Sequence, residues 1–152
     1  MPLSLQTDYA LRILIYLAGR PERTQIGQVA GFYRISTHHV AKVANRLARW
    51  GYIRCVRGIG GGIELARRAE DIRVGDVVRA SEGKMHLLDC VGTENICVIQ
   101  RACKLRGVLA RAEQIQMDYL NSVRLSDVVR PAGQLVDLLP RAARRRQPQP
   151  AG

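Results

Sequence analysis

The chain lacks a membrane span: across its 152 residues no stretch approaches the roughly 18 consecutive apolar residues that such a span needs. The apolar run Leu11–Ala18 contains Arg12, follows Asp8 and has no basic segment ahead of it, so it reads as a cytoplasmic helix and not as a leader. No GxxxxGK(S/T) phosphate loop, no Ser/His/Asp arrangement and no paired catalytic carboxylates occur, so no enzyme is expected. There is no internal repeat and no close CxxC pair. The most local absence is acidic. Between Glu22 and Glu64 there is not one Asp or Glu, although the chain holds 13 acids. The same window contains Arg23, Arg34, Lys42, Arg46, Arg49, Arg54 and Arg57, as a surface facing phosphates would.

The net charge of +11 also favours a polyanionic partner. Part of it comes from Arg141, Arg144, Arg145 and Arg146, in a Pro- and Gln-containing tail over 140–152 that reads as disordered and solvated. The remainder is one domain, or one domain with an extension.

Helical spacing organises the first half. Thr7 is expected to cap a helix with Asp8 in its first turn and Ala10, Ile13, Leu14 and Leu17 inward, ended by Gly19 and Pro21. A short second helix fits Ile26–Tyr33, with Ile26, Val29 and Ala30 inward. Ile35 and Ser36 then turn the chain, with Ser36 as the next N-cap. A third helix over about 37–50 carries Val40, Val43, Ala44 and Leu47 on one stripe. Its opposite face holds His38, Lys42, Asn45 and Arg49, flanked by Ala41 and Arg46. That face is polar, basic and punctuated by a small residue, as a helix entering a major groove requires; an ordinary solvated face would look similar.

The next fifteen or so residues separate the two readings. Gly51 closes the helix, 52–56 reads as a strand, the glycine-rich 57–62 turns, and 63–66 returns as a second strand. A hairpin directly after such a helix is the wing of a winged helix-turn-helix. Gly60 and Gly61 allow close backbone approach there, and Arg57 can reach a phosphate or a narrow minor groove. Ser36 and Thr37 complete the expected DNA-contacting set. A short helix over 72–80 closes the domain, a loop runs to Cys103, and a long amphipathic helix spans about 104–120. Its stripe of Leu105, Val108, Leu109, Ala112, Ile115 and Tyr119 suits a dimer contact, and a two-fold dimer suits a palindromic duplex DNA site. The fold expected is therefore mainly α with a small β-hairpin. It comprises a winged domain over 1–83, a cysteine loop over 84–103, a dimerisation helix with C-terminal segment over 104–139, and the basic tail.

Of four cysteines, Cys90, Cys97 and Cys103 fall in that loop with the spacing C-x6-C-x5-C. Disulfides would leave one thiol over, so metal ligation is the natural reading. Three thiolates suit zinc or an iron–sulfur cluster. The missing CxxC pair favours the cluster, whose iron corners are further apart. A fourth ligand is absent from the loop, His86 being nearest, and Gly92 is expected to lend it flexibility. Cys55, in the wing strand, reads as a small buried side chain. An electron carrier, a structural zinc site or a bare-thiol redox switch would use the same cysteines.

Taken together, the segments 7–18, 38–53, 56–67, 72–83 and 103–109, with the three cysteines, resemble the iron–sulfur winged-helix transcriptional regulators over roughly residues 5 to 130. The resemblance implies a homodimeric repressor. In the family's cluster-biogenesis branch, built on a 2Fe–2S group, a His ligand follows the third cysteine by three residues; here that position is Arg106. In its nitric-oxide-responsive branch, an Asp of the partner subunit can be the fourth ligand to a 4Fe–4S group, and the matching residue is Asp8. The resemblance therefore implies cluster ligation by Cys90, Cys97, Cys103 and Asp8, 4Fe–4S in preference to 2Fe–2S, with nitric oxide as the signal. The six-residue gap between the first two cysteines is slightly longer than the family pattern.

Overall fold

The computed structural model describes residues 3–129, residue 21 excepted. The expectations placed on Pro21 and on residues 130–152, including the basic tail, lie outside the described residues. The first three helices, α1 (Leu5–Ala18), α2 (Ile26–Tyr33) and α3 (Thr37–Arg49), lead into an antiparallel pair, β1 (Ile53–Val56) and β2 (Gly62–Leu65). Then come α4 (Val74–Glu82), the one-turn α5 (Asp89–Gly92), the long α6 (Lys104–Ser122) and the short α7 (Leu125–Val129). This is the winged helix-turn-helix with a long C-terminal helix. Among the described residues no helix is long and apolar enough to cross a membrane.

Helix α1 starts three residues earlier than its sequence suggests. Ser4 is the N-cap, its hydroxyl accepting from the Thr7 amide at 3.3 Å, and Thr7 is buried one turn in. Thr7 loses the capping role because its hydroxyl is used across the domain, on Ser81 at 2.8 Å and on the Glu82 carboxylate. The predicted stripe holds: Ala10, Ile13, Leu14 and Leu17 are buried with Tyr16, against Val29 and Ala30 of α2 and Val40, Val43, Ala44 and Leu47 of α3.

The helix-turn-helix corner is made by Arg34, which ends α2 in the left-handed region at φ 54°, a conformation that most side chains avoid. Ser36 caps α3 as expected, accepting from the His39 amide at 3.2 Å. In the wing, Ile53 pairs with Leu65 and Cys55 with Ile63. Thr24 adds a third, short rung on the other side of β2: its amide donates to the Ile63 carbonyl at 3.0 Å and its carbonyl accepts from the Ile63 amide at 2.8 Å. β2 is therefore central and β1 the edge. Cys55, although paired with the buried Ile63, lies on that outer strand and is exposed, not buried as its size suggests.

Beyond α6 the chain returns to the winged domain. The Leu125 amide donates to Ile72 O at 2.8 Å, the Val74 amide to Val123 O at 2.9 Å, and Leu125 joins the core. α4 crosses α6 closely at Gly75, where a Cβ would lie 2.1 Å from the Asn121 amide oxygen.

Candidate nucleic-acid interface and cysteine segment

Burial of one α3 stripe dictates what the other side shows. Thr37, His38, Lys42, Asn45 and Arg49 are exposed beside the Ser36 cap, with Ala41 half-buried among them. Among the described residues, no hydrogen bond or ion pair engages the side chains of Lys42, Asn45, Arg49 or Arg57. Arg46 differs: its guanidinium donates to the Gln6 side chain of α1, which in turn donates to Ser81 of α4 at 3.4 Å. The acid-free window is thus divided by the acid at its far border. Glu64 holds Arg23 at 3.1 Å and Arg54 at 3.2 Å, leaving the α3 face and Arg57 uncompensated. Two wing glycines serve different ends. Gly60 is exposed, whereas Gly61 is buried in the turn, where a Cβ would stand 2.4 Å from the Val56 carbonyl oxygen.

Behind this face, Glu82 at the end of α4 is hydrogen-bonded to the start of α1. Burial opposes its ionisation, but the Thr7 hydroxyl and the Ser4 amide (2.7 Å) and hydroxyl outweigh that and hold its carboxyl below the ordinary glutamate value. Nearby, the Asp8 ion pair at 2.8 Å raises the pKa of Arg12, whose guanidinium lies 5.7 Å from the centre of the Tyr33 ring. Asp8 stands in the first turn of α1, as its dipole role predicts.

Residues 84–103 hold three free thiols, Cys90 in α5, Cys97 exposed, and Cys103 at the N-cap position of α6. The segment is drawn together by Gln100, its one buried residue. The Gln100 amide nitrogen donates to the carbonyls of Cys90 (3.0 Å) and Thr93 (2.5 Å), while its oxygen accepts from the Ile96 amide at 3.1 Å. His86 is tied to α6 through Glu113 (3.1 Å), whose other oxygen accepts from the Leu87 amide at 2.6 Å. The His86 ring lies so close to Gly92 that a Cβ there would be 2.2 Å from Nε2, so this glycine serves close approach and not flexibility. Arg106 pairs with Glu94 at 2.5 Å. Among the described residues no three His, Cys, Asp or Glu side chains converge as a metal site, so Asp8 and the cysteines do not form one within one chain. The donor set nonetheless fits an iron–sulfur group in its chemistry: three soft thiols, none in a disulfide, in a segment whose backbone already gathers around one side chain.

Sequence reasoning missed Gln6, Gln100 and Glu113. Each is a polar residue whose role depends on a partner distant in sequence or on carbonyl directions, and neither leaves a periodic trace.

A helix-turn-helix with a basic outward face, followed at once by an antiparallel wing, defines a winged-helix, DNA-binding transcriptional regulator and not an enzyme. The chain belongs to the Rrf2 family, whose model, described as an iron-dependent transcriptional regulator, matches residues 3–131. It is 41% identical over 142 residues to the HTH-type transcriptional regulator NsrR of Bacillus subtilis (strain 168), spanning 91% of this chain and 97% of that one. It is 39% identical over 132 residues to NsrR of Shouchella clausii (strain KSM-K16), spanning 85% and 89%. The oxidised form of Staphylococcus aureus CymR matches with a TM-score of 0.67 at 25% identity, covering 86% of this chain and 97% of that one. T. potens IscR matches with a TM-score of 0.69 over 89% and 90%; at 22% identity it shows the fold alone.

Proposed function

We propose that the protein is a homodimeric repressor of a palindromic operator whose affinity is set by an iron–sulfur cluster, 4Fe–4S in preference to 2Fe–2S, with nitric oxide as the signal. Cys90, Cys97 and Cys103 would hold the group together with Asp8 of the partner subunit. The NsrR relatives support the nitric-oxide reading, and the Arg106–Glu94 pair occupies the position where a histidine ligand would be needed for the 2Fe–2S alternative. When bound, such a group supplies iron open to attack by nitric oxide, most readily at a corner held by a carboxylate, a weak and hard ligand.

The division of labour proposed is a winged domain over 1–83, a cysteine segment over 84–103 and a dimerisation helix with its C-terminal segment over 104–139. Each protomer places Ser36, Thr37, His38, Ala41, Lys42, Asn45 and Arg49 in a major groove, with Arg57, Gly60 and Gly61 at the wing.

One observation carries the coupling. The cysteine segment begins where α4 ends, and Ser81 and Glu82 at that end hold Ser4, Gln6 and Thr7 of α1. Gln6 in turn holds Arg46 of α3. A shift of the segment therefore reaches the recognition helix through three side chains, Ser81, Gln6 and Arg46. Freed from Gln6, Arg46 joins the phosphate-facing set; held by it, Arg46 fixes the angle between α1 and α3.

The experiment is iron and acid-labile sulfide per chain in protein purified without oxygen. About four of each is the expected result for a 4Fe–4S group. About two of each would mean a redox or iron-supply regulator, and zinc or neither element would remove the cluster while leaving the winged-helix regulator.

A further inference from the structure

The wing tip holds a residue that neither the phosphate-facing set nor the core accounts for. Ile59 is fully exposed, at the apex of the hairpin. An isoleucine in water at a loop tip gains nothing for folding, and a glycine-rich turn has no steric need of one. The backbone around it is nonetheless built with care. The Gly61 amide donates to Gly58 O at 2.9 Å, closing a four-residue turn with Ile59 second and Gly60 third. Gly60 has φ +74°, the value that favours glycine at the third position of such a turn. No side chain fits at Gly61, as its contact with Val56 shows.

The tip is also braced from outside the hairpin. Arg23 donates to Gly60 O at 3.0 Å, Gln25 donates to Gly61 O at 2.5 Å, and Thr24 pairs with Ile63 on both sides. A loop held by three neighbouring residues keeps its apex in one place. Its flanking glycines make it thin, and a B-DNA minor groove is only about 6 Å wide. Charge points to the same partner. Arg57, two residues from Ile59, is exposed, and the wing's one carboxylate, Glu64, is already taken by Arg23 and Arg54.

We propose that Ile59 is a wedge that enters the minor groove of duplex DNA beside the recognition helix, opening a base step while Arg57 holds the adjacent phosphate. An apolar side chain pressed between base pairs partly unstacks them and bends the duplex, and flexible pyrimidine–purine steps yield most easily. The wing would then choose sequence by deformability at positions where α3 makes no contact. This deepens the operator-binding reading and rests on it.

The test uses the full-length dimer and duplexes that it enriches from a random-sequence pool, carrying a fluorophore pair at their ends and 2-aminopurine at the step under the wing. Ile59→Ala should fold and melt as the parent does, because the side chain touches nothing. It should bind the enriched duplex about tenfold more weakly, with a smaller bend and without the rise in 2-aminopurine fluorescence that marks unstacking. Ile59→Leu should retain affinity and bend. Binding within twofold of the parent, with the same bend and fluorescence, would overturn the wedge while the operator reading stands. So would an Ile59→Ala effect confined to the dimer's assembly. Failure of the parent to enrich any duplex would instead sink the operator reading, and the wedge with it.

Discussion

Helix α1 buries Thr7, Ala10, Ile13, Leu14, Tyr16 and Leu17, while α6, five residues longer, buries none. Both are amphipathic on paper. The difference is that α1 has α3, α4, α7 and β2 around it, with Phe32 and Tyr33 of α2 against Tyr16, whereas α6 leans on α4 and the short α5 and leaves Leu105, Val108, Ile115 and Tyr119 exposed. The cysteine segment resembles α6 in this respect: Gln100 is its only buried residue. One part of the molecule is therefore closed on itself by apolar packing, and the other is held by single polar contacts. A helix with an exposed aliphatic stripe has its partner elsewhere, and in the proposed homodimer that partner is a second α6. Elements that a signal must move are drawn from the second kind of structure, where few contacts must break.

The sharpest way to break this contrast is a deletion in each helix. Leu14→Ala, at a fully buried α1 position, should cost about 3 kcal/mol of folding stability and lower Tm by any probe. Ile115→Ser in α6 should leave the protomer's stability nearly unchanged and shift sedimentation towards monomer; an equal loss of protomer stability would mean that α6 is core after all. On the DNA side, Lys42→Ala and Arg57→Ala should each weaken operator binding about tenfold and flatten its salt dependence by roughly one contact. Iron content should stay constant in both variants, and a parallel loss of iron would indicate misfolding.

A smaller effect concerns the seam where the two kinds of structure meet. Glu82→Gln should cost about 1 kcal/mol near neutral pH, given how much solvent reaches the carboxylate. The folded pKa of Glu82 lies below that of the unfolded chain, so its contribution is whole above the ordinary glutamate value of about 4.3. It is lost as pH falls through the lower folded value. The parent and the variant should therefore converge in Tm on acidification. A constant gap at every pH would mean that packing, not charge, holds the seam.

The closed part was largely legible in the sequence. Val40, Val43, Ala44 and Leu47 announce α3, Ser36 its cap and 57–62 the wing turn, because periodicity and turn chemistry are local signals. Core position alone did not place Cys55, since a small residue on an edge strand is buried or exposed according to how far the core extends. The return of Leu125 to the core was hidden because five helical residues carry too little pattern to register. The polar seams through Gln6, Gln100 and Glu113 were hidden for a different reason. Their partners lie up to 75 residues away, as between Gln6 and Ser81. The cysteines were visible as a set, yet their spacing does not say how one protomer gathers them.

That gathering gives the smallest effect on the fold and the most informative one. Cys97 is exposed, and its thiol takes part in no hydrogen bond or ion pair among the described residues. Removing it should therefore change the stability of the iron-free protomer by less than about 0.5 kcal/mol. Removing the buried amide of Gln100 by Gln100→Ala should instead loosen the segment, because the Cys90 and Thr93 carbonyls would each lose their donor. If the cysteine segment is a ligand cradle and not a structural loop, Cys97→Ala abolishes iron binding with the fold intact. Gln100→Ala would keep all three thiols but bind iron more weakly. Hydrogen exchange of the iron-free protein reads the difference directly, with amides 90–103 unprotected in Gln100→Ala and unchanged in Cys97→Ala. The opposite pattern would mean that the thiol, not the amide, organises the segment, and that its packing and its chemistry are one function instead of two.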